Sequence, residues 1–350
     1  MPVKIDMMTV PRSASQAATL AQEAEELGFD GWYTGETGFD SLVACTAAAM
    51  RTSEIRVGTS ITVALARSPM TVAYAANDLQ ALSRGRFFLG LGSQIKQHIE
   101  RRFSMPWSSP AARMSEYIDV LHRTWAAWED GSPLDFHGEF YHHDLMPPMF
   151  RGERHGFGRP AIGLAGVGQR MTVLAGEKAD AFLAHPFTSP EYVRSCSRKW
   201  LDDGIATAGR DAADVEFVAS VFVVAGKTPE ERAVVESETR KQLAFYASTP
   251  AYRDVLALHG WDGLQEKLRA MTRNGLWDDM ASLITDEILN EFAIVVDDAA
   301  EIPAAIDSRL GGVVDRVTLY PLWKPTAEEV AAVRDGATRI QSATSRLRAS

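Results

Sequence analysis

Short apolar runs alternate with amphipathic stretches of helical period along almost the whole chain. VKIDMMT (3–9), DGWYTGE (30–36), IRVGTSITVA (55–64) and GRFFLGLG (85–92) read as strands, and AIGLA (161–165), DAFLA (180–184), VEFVASVFVV (215–224) and VVDRVTL (313–319) continue the series. Most of these runs are apolar at odd and even positions alike, the pattern of parallel strands buried on both faces rather than of a half-wetted sheet. The stretches between them carry helix signals. Ser13 and Gln16 have capping-box spacing, and Ala17, Leu20, Ala21, Ala24 and Leu27 form a stripe that stops at Gly28. Ser68 followed by Pro69 is an N-cap with proline at the first helical position, opening a helix to Leu82. Further helices are predicted at 42–50, 111–129 and 326–347, and GVGQRM (166–171) runs directly into another helical pattern.

Eight strand-helix units fit a (β/α)8 TIM barrel with insertions better than a doubly wound sheet. The expectation is one domain over 1–350, interrupted by an irregular Gly-, Pro- and His-rich stretch at 131–160 and a helical insertion at about 229–290, with a short strand at 292–296. In such a barrel the active site lies at the C-terminal ends of the strands. That rule selects Met7–Thr9, Thr34–Thr37, Ser60–Thr62, Gly92–His98, Gly166–Arg170, Ala184–Phe187 and Ser220.

Composition narrows the classes of partner. A hydrophobic content of 46% suits a large core, and a formal net charge of −10 argues against nucleic acid or an anionic membrane surface. The two cysteines, Cys45 and Cys196, are too few for a disulfide framework. With neither a signal-peptide pattern nor a long apolar span, the expectation is a cytoplasmic protein acting on a small molecule. No metal site is expected. The first strand ends in Met-Met-Thr without the His-x-His of a metal-dependent barrel hydrolase, and His137, His142, His143, His155 and His185 read as loop caps or substrate-side residues.

The chemistry-bearing candidates sit at strand ends. LGLGSQIKQH begins like a dinucleotide turn with Gly90 and Gly92, but the third glycine position holds Ile95, and Glu116 and Asp119 fall inside a predicted helix rather than at the end of the next strand. GLAGVGQRM has the makings of an anion site: a glycine-rich loop at a helix N-terminus, with Arg170 adding charge. Together the two turns suggest a large cofactor lying across the barrel mouth, its phosphate at the second. IERRF (99–103) and Arg113 make a basic patch that either meets an acidic cofactor tail or is a solvated helix face.

From AEELGFDGWYTGE through VGTSITVALARSPMTVAYAANDLQALSRGRFFLGLGS and GRPAIGLAGVGQRMTVLAGEKADAFL to VVDRVTLYPL, the chain resembles the luciferase-like flavin and deazaflavin oxidoreductases. The wording LGLGSQIKQHIERRFSMPW resembles the branch that uses the deazaflavin coenzyme F420. This resemblance implies a luciferase-like barrel and hydride transfer between F420 and a small organic substrate. The alternatives are an FMN-dependent monooxygenase fed by a separate reductase, and a cofactor-binding protein without turnover. It further implies a homodimer, and a non-proline cis peptide at Ser60-Ile61 supporting the cofactor ring. Gly92, Ser93 and Gln94 would border that ring, His98 would contact the cofactor side chain, and Gly166, Val167, Gly168, Gln169 and Arg170 would hold the phosphate. Relatives often carry Asp-His after the second strand, where this chain has Gly35-Glu36. Glu36 is therefore either a catalytic carboxylate, sharing proton handling with His98, or an acid paired with Arg67 or Lys96.

Overall fold

The computed structural model describes residues 2–344. Eight parallel strands close into a barrel: β1 (Lys4–Thr9), β2 (Gly31–Thr34), β3 (Arg56–Thr59), β4 (Phe87–Gly92), β5 (Ala161–Gly166), β6 (Ala181–Ala184), β7 (Glu216–Val224) and β8 (Arg316–Pro321). Closure comes from β8 pairing with β1, Ile5 opposite Val317 and Met7 opposite Leu319. A further short strand, Ala293–Val295, pairs with the C-terminal end of β7, Phe222–Val224. The main helices around the barrel are α1 (Ala14–Leu27), α2 (Ser41–Arg51), α3 (Pro69–Leu82), α4 (Pro110–Asp130), α5 (Gln169–Lys178), α6 (Arg198–Thr207), α7 (Ile302–Leu310) and α8 (Ala327–Ala337). The (β/α)8 architecture expected from the apolar runs is the observed one.

Alternation along each strand sends one set of side chains outward to the helices and the other into the barrel. Ile5, Met7, Val57, Leu89, Leu91, Ile162 and Leu164 join the large core between strands and helices. The barrel interior is layered. At its floor Asp6 receives Nε (2.8 Å) and Nη2 of Arg316, and Arg56 Nη1 donates to Glu216 at 2.8 Å. Gly31 is required here, because a Cβ would lie 2.5 Å from Asp6 Oδ1. Above the ions Met8, Tyr33, Phe88, Ala181, Leu183 and Val218 form an apolar plug, with the Tyr33 and Phe88 rings edge to face at 5.7 Å. Ile61, Ala165 and Tyr320 pack on top of that plug and make the floor of the barrel mouth.

Three expectations need amendment. The strand predicted at 55–64 breaks into Arg56–Thr59 and Thr62–Val63, with the cis peptide bond Ser60-Ile61 between them. The helix predicted at 326–347 stops at Ala337; the chain then turns back, and Ile340 O accepts from Val3 N (3.2 Å). Residues 345–347 of that prediction lie outside the described residues. A helical stretch from Pro190 to Thr207 was not foreseen, because a π-turn at Val193–Ser197 shifts the phase of the apolar stripe.

Both insertions have partners. The 131–160 stretch contains a small hairpin, Phe136–His137 against His142–His143, and lies along α3, where Asn77 Nδ2 donates to Glu153 O (3.1 Å) and Gln80 Nε2 to Phe157 O (3.3 Å). The second insertion, with helices Pro229–Ala247, Arg253–Ala257 and Asp262–Arg273, builds its own core with Phe187, Phe222 and Phe292. No helix among the described residues is long and apolar enough to cross a membrane.

Candidate active site at the barrel mouth

The break in β3 is the most heavily supported feature of the mouth. Ser60 N donates to Thr34 O at 2.8 Å, and Glu36 N donates to Ile61 O at 3.1 Å. The Glu36 carboxylate then takes hold from the other side: Oε2 accepts from Val63 N (2.9 Å), Ser41 Oγ (3.3 Å) and Arg67 Nη1 (2.9 Å), while Arg67 Nη2 lies 2.8 Å from Oε1. One residue thus brackets Ile61–Val63 with its own backbone and its side chain. Glu36 is only 8% exposed. Arg67 also reaches Asp40 Oδ2 at 2.7 Å. Burial opposes charge on Arg67, but its bonds to Glu36 and Asp40 outweigh this and raise its pKa; the same contact lowers that of Asp40 against the effect of burial. Of the two roles open to Glu36, the geometry supplies the partnership with Arg67; Lys96 instead faces Glu100 at 3.8 Å.

The glycine pair of β4 has a different cause from the one the sequence suggests. A Cβ on Gly90 would sit 1.9 Å from Thr59 O, and one on Gly92 would sit 2.8 Å from Ile61 Cγ1. Both spaces are filled by the interrupted third strand. The glycines admit that break, and they place the Ile61 side chain over β4.

Beyond Gly92 the chain is locally constrained. Gln94 is left-handed at φ 61, an uncommon state for a side-chain-bearing residue and one that clusters at functional sites. Its Oε1 accepts from Ile95 N at 3.1 Å, and Ser93 Oγ donates to Gln94 O at 3.2 Å. The short helix Lys96–Arg101 follows, tied to the loop after β2 by a bond from Arg102 to Thr37 O. His98 lies in this helix with Nδ1 buried and without a protein partner; burial, then the Arg102 charge, lower its pKa. No hydrogen bond joins His98 to the Glu36 carboxylate among the described residues.

Gly166, Val167 and Gly168 lead into α5 across the mouth. Side chains cap α1 (Ser13), α2 (Asp40), α3 (Ser68) and α8 (Thr326), whereas α5, like α4, α6 and α7, has no side-chain cap; it begins at Gly168. Its first amides are left for another acceptor. A Cβ on Gly168 would meet nothing within 4 Å, so the loop faces open space, and Gln169 and Arg170 are exposed beside it. Tyr192 Oη donates to Val167 O at 3.2 Å and steadies the loop from behind. Tyr192 was missed from sequence, since it belongs to the helical stretch whose phase the π-turn conceals.

The other sequence candidates disperse. Arg113 does not join a surface patch with 99–103: it is 9% exposed, donates through Nε to Tyr141 Oη (3.0 Å) and through Nη1 to Pro106 O (2.6 Å), and so pins the Trp107 loop. His155 caps a loop, accepting from Phe157 N at 3.2 Å. No group of His, Cys, Asp and Glu among the described residues is placed to hold a metal ion. His185, just past β6, stands at the mouth itself.

The family profile described as luciferase-like monooxygenase matches residues 1–315. An uncharacterized Mycobacterium tuberculosis protein is 44% identical over 329 residues, covering 93% of this chain and 96% of its own. The 5,10-methylenetetrahydromethanopterin reductase of Archaeoglobus fulgidus is 28% identical, covering 77% of this chain and 79% of its own. Among solved structures, the coenzyme F420-dependent tetrahydromethanopterin reductase of Methanopyrus kandleri superposes with a TM-score of 0.78 at 20% identity, over 97% of this chain and 98% of that one. With the profile matched over residues 1–315 and a relative this similar over nearly its whole length, the chain belongs to the luciferase-like monooxygenase family.

Proposed function

We propose that this protein is an F420-dependent oxidoreductase that exchanges a hydride with a small organic substrate. The observation that carries the reading is the pairing, on one rim, of a rigid break at Ser60-Ile61 with an uncapped helix N-terminus at Gly168 that faces open space. A planar ring with a phosphate-bearing tail fits that pair. Relatives named for F420 support the choice of cofactor.

In this reading Ser60 and Ile61 back one face of the ring, Gly92, Ser93 and Gln94 border its edge, and His98 contacts the side chain. The amides of Val167, Gly168, Gln169 and Arg170 take the phosphate, with the α5 dipole and the Arg170 charge behind them. When bound, F420 supplies a carbon centre that gives or accepts hydride. The protein's part is mainly placement, since fixing two reactants against each other replaces a bimolecular encounter. Glu36 serves as a positioning residue, holding Ile61–Val63 through its backbone N–H and its Arg67-paired carboxylate. Proton handling is left to His98, whose imidazole burial and then the Arg102 charge hold toward the neutral form.

Titration of the purified protein with F420 and with FMN, followed by fluorescence, tests the assignment. F420 is expected to bind at least tenfold more tightly, and reduced F420 to be consumed when a carbonyl or enone substrate is supplied. Selective FMN binding would overturn the cofactor. F420 binding without hydride exchange across a broad carbonyl, alcohol and enone panel would leave a carrier.

A further inference from the structure

Across the mouth from the β3 break lies an aromatic chamber that the cofactor reading leaves unused. His185 directly follows β6, two residues beyond Leu183 of the interior plug. Two rings from the second insertion enclose it: Tyr246 edge-on at 4.6 Å and Tyr252 at 4.7 Å. Phe222 at the end of β7 links this group to Tyr320 of β8, with ring centroids 5.6 Å apart. Tyr320 in turn rests on the plug that also carries Ile61. The chamber and the proposed ring wall therefore share one floor.

The polar atoms of the chamber are unspent. His185 Nδ1 accepts from Phe187 N at 3.0 Å, which places the ring proton on Nε2. Nε2 has no protein partner, nor do the hydroxyls of Tyr246, Tyr252 and Tyr320, although half-buried tyrosines ordinarily find one. Each belongs to a partly exposed residue, and none is among the described residues' fully buried polar atoms without a partner. Burial alone lowers the His185 pKa, to about 3, with no charged side chain contributing. The imidazole is a neutral donor, and the chamber has no cation for a carboxylate or phosphate.

We infer that His185, Tyr246, Tyr252 and Tyr320 form the substrate subsite, in which His185 Nε2–H binds the oxygen of a neutral, largely apolar ketone or secondary alcohol. The inference rests on the hydride-transfer reading above for its chemistry, though not for its binding. In the ketone direction the carbonyl carbon gains the hydride from reduced F420, which also releases a proton. The C=O π pair moves onto oxygen, and that oxygen takes a proton from solvent to give the alcohol. His185 keeps its proton and orients the oxygen.

Binding of acetophenone and of ethylbenzene, near-isosteres that differ by the oxygen, tests this on the cofactor-free protein. One neutral hydrogen bond should favour acetophenone by about fivefold. His185→Phe, which keeps the ring stack, should erase that preference while leaving F420 affinity within about twofold, and His185→Gln should restore part of it. Acetophenone should also move the His185 Nε2 resonance of the unmodified protein, a readout that needs no variant. Equal affinity for the two probes, or unchanged acetophenone binding in His185→Phe, would overturn the subsite. Failure to bind F420 with the probe preference intact would overturn the cofactor reading alone.

Discussion

The two sides of the barrel mouth are built on opposite principles. Around the β3 break the polar atoms are spent within the protein, although Tyr33 Oη and His98 Nδ1 nearby are not: Glu36 alone engages Ile61, Val63, Ser41 and Arg67, and glycines at 90 and 92 let the backbone close up. On the side of β6, β7 and β8 the surface is aromatic, its polar tips face outward unpartnered, and two of its tyrosines come from an insertion. A wall satisfied from within specifies one shape and suits an invariant ligand. A wall with spare donors is completed only by whatever enters, and can be altered without disturbing the barrel.

The sharpest way to break the first wall is Gly90→Ala. Its Cβ would fall 1.9 Å from Thr59 O, a backbone atom that cannot swing away. Destabilisation of about 3 kcal/mol is expected in chemical denaturation, with loss of cofactor binding. Glu36→Gln comes next: it leaves the largely buried Arg67 with Asp40 as its charged partner, and should cost about 2 kcal/mol of stability and weaken F420 binding roughly tenfold. This variant also separates positioning from proton transfer, because a proton-transfer role would lower turnover at unchanged affinity.

A pH titration of stability probes the histidines that burial keeps neutral. His122 is lowered to about 4, by burial first and then by Arg159, and His185 to about 3. Below the ordinary value of 6.5 the unfolded chain takes up protons that the folded chain refuses. Stability should therefore be full above 6.5 and fall as pH drops from 6.5 toward 4, by on the order of 1 kcal/mol per pH unit for each group. His122→Phe should flatten part of that slope; an unchanged slope would show that His122 is charged in the fold. The smallest effect is expected for Arg170→Ala: F420 binding about fivefold weaker at low salt, and the difference fading as ionic strength rises.

The contrast also explains what could be read from the sequence. Strands buried on both faces leave continuous apolar runs, so the barrel and its order were legible, as was the family through the segments from AEELGFDGWYTGE to VVDRVTLYPL. The reason for Gly90 and Gly92 was not, because the atoms that need the space, Thr59 O and the Ile61 side chain, belong to a neighbouring strand. Arg113 looked like part of a charged surface until its contacts with Tyr141 and Pro106 placed it inside. The aromatic chamber was least visible: Tyr246 and Tyr252 lie on helices whose own periodicity only reports packing within the insertion, and nothing local ties them to His185.

The ionic floor of the barrel has a kinetic consequence. Asp6 with Arg316 and Arg56 with Glu216, capped by the Tyr33 and Phe88 rings, close the end opposite the mouth. Every molecule that reaches the interior must arrive and depart through the same opening. Two ligands that share one entrance obstruct each other, so whichever lies deeper has to come first and leave last. Initial-rate measurements should then show a compulsory order of addition, with the product of the second ligand competing at the entrance rather than at the wall behind it.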